Sequence, residues 1–267
     1  MSLPHDQGWC APFDSPFYPP LPAHYRNVQF QFVFFKADPA GVARLLPEPL
    51  EPSPDGLCVA IGLRVPFCTS YGPFQEAVVE EQCSFRGRVG WYCSHVWHDG
   101  PSGIAAGREI YGTPKIFTAL EVRMADRTML TRGVMGQLPV VTISSTMQEK
   151  AAPEDMPALT PSWRLKMIPR ADGPGLALKQ LIDCTAAKQD FQAHLCWRGR
   201  GMVRFEPSPL CDLTCLQPRA HYDAFHLEAS FTETFATIVY DYLADRDKTN
   251  AHPSVPTASS AGQGYTK

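Results

Sequence analysis

The chain has 267 residues, 44% of them hydrophobic and 19% charged, with a formal net charge of -3. That length can bury a core without a disulfide or metal staple. No Lys/Arg block marks a nucleic-acid surface, and no run reaches the ~18 apolar residues of a membrane helix. Residues 1–10 lack the basic start and apolar run of a secretory signal. The nine cysteines sit in apolar runs such as Leu57-Cys58-Val59, as buried free thiols do, so a reducing cytoplasm is the expected location.

Residues 1–25, rich in Pro and aromatic side chains, are expected to form an extended arm on the body or on a partner subunit. The stretch 27–36 alternates at first, Val28, Phe30 and Phe32 on one face and Gln29 and Gln31 on the other, which predicts a strand. Asp38 has the character of an N-cap and Pro39 of a first helical position, with a short helix over 41–46. Strands are expected over 57–67, 76–85 and 89–97, the last two joined through Arg86-Gly87-Arg88. A short helix follows over 103–110. Further strands are expected over 115–124, 128–135, 139–147, 163–168, 176–185, 191–197 and 202–205, and a last element over 224–243. Residues 247–267 lack the apolar side chains needed to pack and are expected to be a disordered tail. Many short strands, 26 prolines and no credible internal linker predict one mainly β domain over 1–246. Its sheet is expected to be antiparallel, strongly curved or closed into a barrel, with a few short helices.

One lysine stands out. Lys36 and Lys115 are the only lysines before Lys150. Lys115 follows two glycines and Pro114, which fixes its own φ and biases Thr113 towards extended geometry. Ile116 and Phe117 follow with apolar bulk. An ammonium there loses hydration, and burial favours the neutral, nucleophilic amine, whose natural electrophile is a ketone. A surface lysine at the start of a strand is the plain alternative.

The segment Gly107-Arg108-Glu109-Ile110-Tyr111-Gly112-Thr113-Pro114-Lys115 resembles the active-site stretch of the acetoacetate decarboxylase superfamily. Ser15-Pro16-Phe17, Leu46-Pro47-Glu48-Pro49-Leu50, Leu165-Lys166-Met167-Ile168-Pro169 and Tyr240-Asp241-Tyr242-Leu243 resemble further marks of the same family, in order along the chain. The resemblance implies a β-barrel-like fold of that type, a homo-oligomer, and Lys115 as a Schiff-base lysine acting on a small keto acid. The resemblance also implies that this lysine is activated as a nucleophile.

By ungapped position the resemblance places a pocket glutamate on Glu76, with a role in proton transfer or substrate orientation. A second family glutamate falls on Ile61 and is absent. A family arginine falls near Val28, and Arg26, two residues earlier on the same expected strand face, is the candidate replacement for binding a substrate carboxylate. Arg108 and Glu109 read as an ion pair bracing the loop, with Tyr111 beside them as a further supporting position. The family's second lysine is replaced by Ile116, which is expected in the apolar wall around Lys115. His95 and His98 have no third ligand by spacing, so no metal site is expected. No nucleotide or dinucleotide fingerprint is present, and no cofactor is expected, because the lysine iminium is itself the electron sink. Three functions compete: a decarboxylase of a β-keto acid, an aldolase-dehydratase or cyclase using the same lysine, and a non-catalytic binder of small apolar molecules.

Overall fold

The structure is a computed structural model that describes residues 8–244. The expected tail, 247–267, lies outside the described residues. Among the described residues, sixteen strands follow in chain order. The first five are β1 (Ala23–Lys36), β2 (Glu51–Pro52), β3 (Leu57–Val65), β4 (Phe67–Cys68) and β5 (Phe74–Phe85). The next six are β6 (Arg88–His98), β7 (Lys115–Phe117), β8 (Ala119–Ala125), β9 (Thr128–Met135), β10 (Leu138–Thr146) and β11 (Glu149–Lys150). The last five are β12 (Ser162–Pro169), β13 (Leu176–Asp183), β14 (Lys188–Phe205), β15 (Ala220–Glu233) and β16 (Thr237–Asp241). Two short α-helices, α1 (Pro39–Ala43) and α2 (Pro101–Ala106), interrupt them.

Twelve of the strands form one path in the order β16-β13-β12-β6-β5-β3-β1-β15-β14-β10-β9-β8, and β2, β4, β7 and β11 pair beside it with β5, β1, β6 and β14. Its ends do not meet, so the sheet is open and the closed barrel is corrected to a curved sheet. Pairing is antiparallel except where β7 and β12 run parallel to β6. The sheet bends back on itself. Val141 and Ile143 of β10 and Val203 and Phe205 of β14 share a core with Val33, Phe35, Ala60, Val79 and Trp97 of β1, β3, β5 and β6. The opposite face of those four central strands carries Phe30, Phe32, Phe34, Ile61, Val78 and Val96, packed with Leu227 and Phe231 of β15. Central strands covered on both faces lose strict alternation, which explains the run Phe32-Val33-Phe34-Phe35.

Local differences from the expected elements have physical causes. Asp38 does cap α1, its side chain accepting from Ala40 N–H, but the helix stops at Ala43. The helix expected over 103–110 is α2 followed by a wider π turn, Gly107–Tyr111, which Gly112 ends with a left-handed φ of 74°. The strand expected over 115–124 is broken at Thr118 into β7 and β8, and the last element is broken between β15 and β16.

Candidate active site

A cavity of about 380 Å³ opens against the face of β1, β3, β5 and β6 that carries the aromatic core. Lys115 enters it from β7. Its Nζ lies 2.8 Å from Oε2 of Glu76 on β5, and both side chains are nearly buried. The Phe74 ring lies beneath the ammonium, 5.6 Å from Nζ to centroid. The lysine stem runs along bare backbone: a Cβ on Gly107 would stand 2.7 Å from Lys115 Cε and 2.8 Å from Cδ. Arg108 braces the same residue by donating from Nη1 to the Lys115 carbonyl at 3.2 Å.

Burial raises the Glu76 carboxyl, but the adjacent Lys115 cation and the field of Arg164 outweigh it and hold the group below the usual carboxylate range. Glu76 is therefore ionised at neutral pH. By sequence, His98 was marked only as a histidine without a third metal ligand. It is fully buried, stacked on Phe74 with centroids 4.4 Å apart, and its Nε2 lies 3.6 Å from Glu76 Oε2. Its Nδ1 accepts from Gly100 N–H at 2.8 Å, so neutral His98 carries its proton on Nε2, towards Glu76. Burial and the Lys115 charge push the imidazole down to about 3. Gly103, one helical turn before Gly107, makes room for it, since a Cβ there would lie 2.7 Å from Nε2.

A second polar group sits further along the cavity. Arg164 on β12 approaches Glu80 on β5, Nη2 to Oε1 3.9 Å, and donates from Nη1 to Ser162 Oγ at 3.1 Å. Burial raises the Glu80 carboxyl despite this cation. Lys188 of β14 and Glu233 of β15 also line the cavity, with Lys188 Nζ 5.4 Å from the Phe231 ring centroid. The sequence signal for Arg164 was a lone cation in an otherwise apolar strand start, Trp163-Arg164-Leu165.

Several expected placements are corrected. Arg26 is exposed and donates to the Tyr25 and Phe231 carbonyls at 2.8 and 3.3 Å, outside the cavity. The cause is a bulge: Asn27 has φ of 53°, and the register with β15 shifts between Tyr25 and Val28. The extra residue puts Tyr25, not Arg26, on the cavity face with Val28. Ile116 does not line the cavity. It pairs with Trp97, whereas Lys115 pairs with cavity-lining Val96, so strand alternation turns Ile116 to the other face. Arg108 and Glu109 do not pair with each other. Glu109 instead accepts from the hydroxyl of buried Tyr18 at 2.6 Å, tying the N-terminal arm to the lysine segment. Tyr111 lines the cavity and donates to the Thr234 carbonyl at 2.5 Å. No cluster of three metal-ligating side chains occurs among the described residues.

An open, curved β sheet holding a buried lysine–carboxylate pair in a mostly apolar cavity defines the class of protein to which this chain belongs. The family model for acetoacetate decarboxylase matches residues 10–243, and the chain is a member of that family. It is 29% identical over 238 residues to an acetoacetate decarboxylase of Ralstonia nicotianae, covering 87% of this chain and 94% of that protein. The crystal structure of an acetoacetate decarboxylase from Legionella pneumophila superposes with a TM-score of 0.81 at 21% identity, covering 91% and 100% of the two chains. The enduracididine biosynthesis enzyme MppR, solved with the condensation product of pyruvate and imidazole 4-carboxaldehyde, superposes with a TM-score of 0.76 at 21% identity over 88% and 97%. At those identities the solved structures establish the shared fold.

Proposed function

We propose that the protein is a Schiff-base lyase that decarboxylates a β-keto acid. The observation that carries this reading is the 2.8 Å pair between Lys115 and Glu76 inside the cavity. Glu76 takes a proton from the ammonium, and the freed amine attacks the ketone carbon. Loss of water gives an iminium. The electron pair of the bond to the carboxylate then flows to the iminium nitrogen, carbon dioxide leaves, and an enamine remains. Glu76, which returned its first proton to the departing water, takes up another from solvent and, at contact distance from the lysine nitrogen, delivers it to the enamine carbon. Water hydrolyses the new iminium, and the ketone departs.

Aldol addition, dehydration or cyclisation through the same iminium is the second reading. The cavity volume supports it, because about 380 Å³ is of the size that holds ligands well beyond four carbons, and MppR holds a condensation product on this fold. Borohydride reduction in the presence of keto acids should add the substrate mass to the peptide containing Lys115. A Lys115→Ala variant labelled as fast as the parent refutes the assignment, and a parent that forms no adduct points to the non-catalytic binder. Carbon dioxide release in step with turnover separates decarboxylation from the second reading. The sequence-based expectations of a homo-oligomer and a cytoplasmic location stand with this proposal. Among the described residues no helix is long and apolar enough to cross a membrane.

A further inference from the structure

The floor of the cavity runs in rows across the strands. From Lys115 the register leads to Val96 of β6, Val78 of β5, Ile61 of β3 and Phe32 of β1. From Glu76 it leads to Leu63 of β3, Phe30 of β1 and Leu227 of β15. All of these residues line the cavity, and beyond Lys115 and Glu76 none of their side chains carries a polar atom. Neighbouring strands lie about 4.8 Å apart, so the first row continues over several strand spacings from the lysine. Its rings are fixed by one another. Phe30 stacks on Phe32 with centroids 5.6 Å apart and lies 6.3 Å from Phe231, which stacks on Tyr25 at 4.6 Å.

The charged groups of the cavity other than Lys115 and Glu76 are engaged elsewhere. Trp163 pairs with Tyr92, which sets Arg164 beside Cys93, the partner of Glu80. Glu80, Glu233 and Cys184 all face Arg164, so its charge is balanced within the protein. Glu233 also accepts from the Tyr25 hydroxyl at 2.9 Å. Lys188 is exposed, and water solvates its charge. A ketone carbon bonded to Lys115 Nζ carries two arms. One is the carboxymethyl group that loses carbon dioxide, and the other is the group on the far side of the ketone. A carboxylate laid along the floor would lose its hydration with no donor to replace it, so the floor takes the other arm.

We propose that this arm is a hydrocarbon tail lying on the floor, so that the substrate class is a β-keto acid with an apolar chain on its ketone carbon. Ile61, between Val78 and Phe32, is the specificity-determining residue. This rests on the Schiff-base reading and names its substrate. The methyl group of acetoacetate covers only the start of the row and leaves Ile61 and Phe32 facing water. Each methylene that displaces this water strengthens binding about fourfold, from about 0.8 kcal/mol per buried methylene. Because the rings already pack on one another, the surface exists before the tail arrives.

The test compares acetoacetate with 3-oxooctanoate in borohydride trapping at Lys115. Half-saturation by 3-oxooctanoate is expected at a concentration at least about thirtyfold lower. Ile61→Asn puts an amide in the middle of the row. It is expected to raise the 3-oxooctanoate value at least about tenfold and the acetoacetate value by less than about threefold. Equal half-saturation in the parent, or a variant that melts like the parent and keeps the preference, overturns the proposal. A second comparison needs neither variant nor Schiff base: 3-hydroxyoctanoate should raise the melting temperature of the parent, and 3-hydroxybutanoate at the same concentration should not. Equal shifts overturn the tail site, and these parent measurements decide alone if Ile61→Asn does not fold. Failure of both keto acids to form an adduct, with 3-hydroxyoctanoate still stabilising selectively, overturns the Schiff-base reading and leaves the tail site standing.

Discussion

At the scale of single residues, the proposed mechanism places the greatest weight after Lys115 on Glu76. It is the group within contact distance of the lysine nitrogen, and proton transfer by a positioned side chain contributes about 10²–10⁴ in rate. Glu76→Gln keeps the shape and loses the base, so kcat should fall by about that factor with a smaller change in KM. A variant within threefold of the parent kcat would assign the proton transfer elsewhere. Lys115 and Glu76 were singled out in the sequence because residues 107–115 resemble a family's active-site stretch and an ungapped count from it places the glutamate; the structure sets the two side chains 2.8 Å apart. Arg164 and His98 could not be, because each acquires meaning only from β6, which brings β7 and β12 to the same edge. Arg26 misled because period-two counting has no means of sensing the bulge at Asn27.

At the scale of elements, α2 and the π turn act as a seat for two side chains. Gly103 and Gly107 face His98 and Lys115 with bare backbone. Gly107→Ala puts a methyl against Lys115 Cδ and Cε, so the lysine must move while the turn keeps an allowed conformation. Borohydride trapping should slow at least about tenfold, with a melting temperature within a few degrees of the parent. Gly112→Ala should behave in the opposite way. Its φ is 74° and the new Cβ would sit 2.3 Å from the Lys166 backbone, so the cost is to folding, about 2 kcal/mol or more. Thermal melting and trapping on both variants check the contrast, and similar losses in the two assays for both would remove the distinction. The helix expected over 103–110 was legible from its small residues and the following Gly112. Its widening into a π turn was not, since that is set by how Lys115 and Thr113 dock, with Thr113 N–H bonding the Gly107 carbonyl at 2.9 Å.

At the scale of the whole molecule, the two-sided burial of the central strands traps titratable groups. His95 and His226 are pushed down to about 4, both by burial, and His98 to about 3. A histidine held neutral binds fewer protons folded than unfolded between pH 6.5 and its folded value, so stability is lost as pH falls through that window. For His226 the full effect is about 3 kcal/mol. Burial raises Glu81 well above its ordinary range, with Ser94 donating to Oε1 at 2.5 Å. Its contribution has the opposite sign, complete below about pH 4.5 and lost as pH rises through the folded value. Melting temperature should therefore fall as pH drops below about 6.5, and Glu81→Gln should remove the part of the pH dependence that sets in above about pH 4.5. A variant with the parent's full pH dependence would place that part in other groups. Gln31 belongs to the same trapped interior. Alternation predicted a polar face, yet Gln31 is fully buried, donating to Met129 O and Ser145 Oγ at 2.9 and 2.7 Å. The strands were legible locally, but the backward bend of the sheet that covers this face depends on contacts between β1 and β10, more than a hundred residues apart. Residues 188–195 of β14 bond only to β15 among the described residues and expose Phe191 and Leu195. Such an edge is usually covered. Light scattering at micromolar concentration should give a multiple of 29.6 kDa, and a monomer would contradict the expected oligomer.

The parallel docking of β7 and β12 on one side of β6 has a further meaning. Lys115 and Arg164 are held against one strand rather than carried on loops, so the spacing of their backbones is quantised in strand residues of about 3.3 Å. Ser94, the bulge residue of β6, adds no step to that spacing: Cys93 and Val96 stand opposite Glu80 and Val78, two residues of β5. Deleting Ser94 would leave Cys93 and Val96 two residues apart on a regular strand, both still facing the cavity, so Lys115 and Arg164 should keep their separation when the bulge is lost.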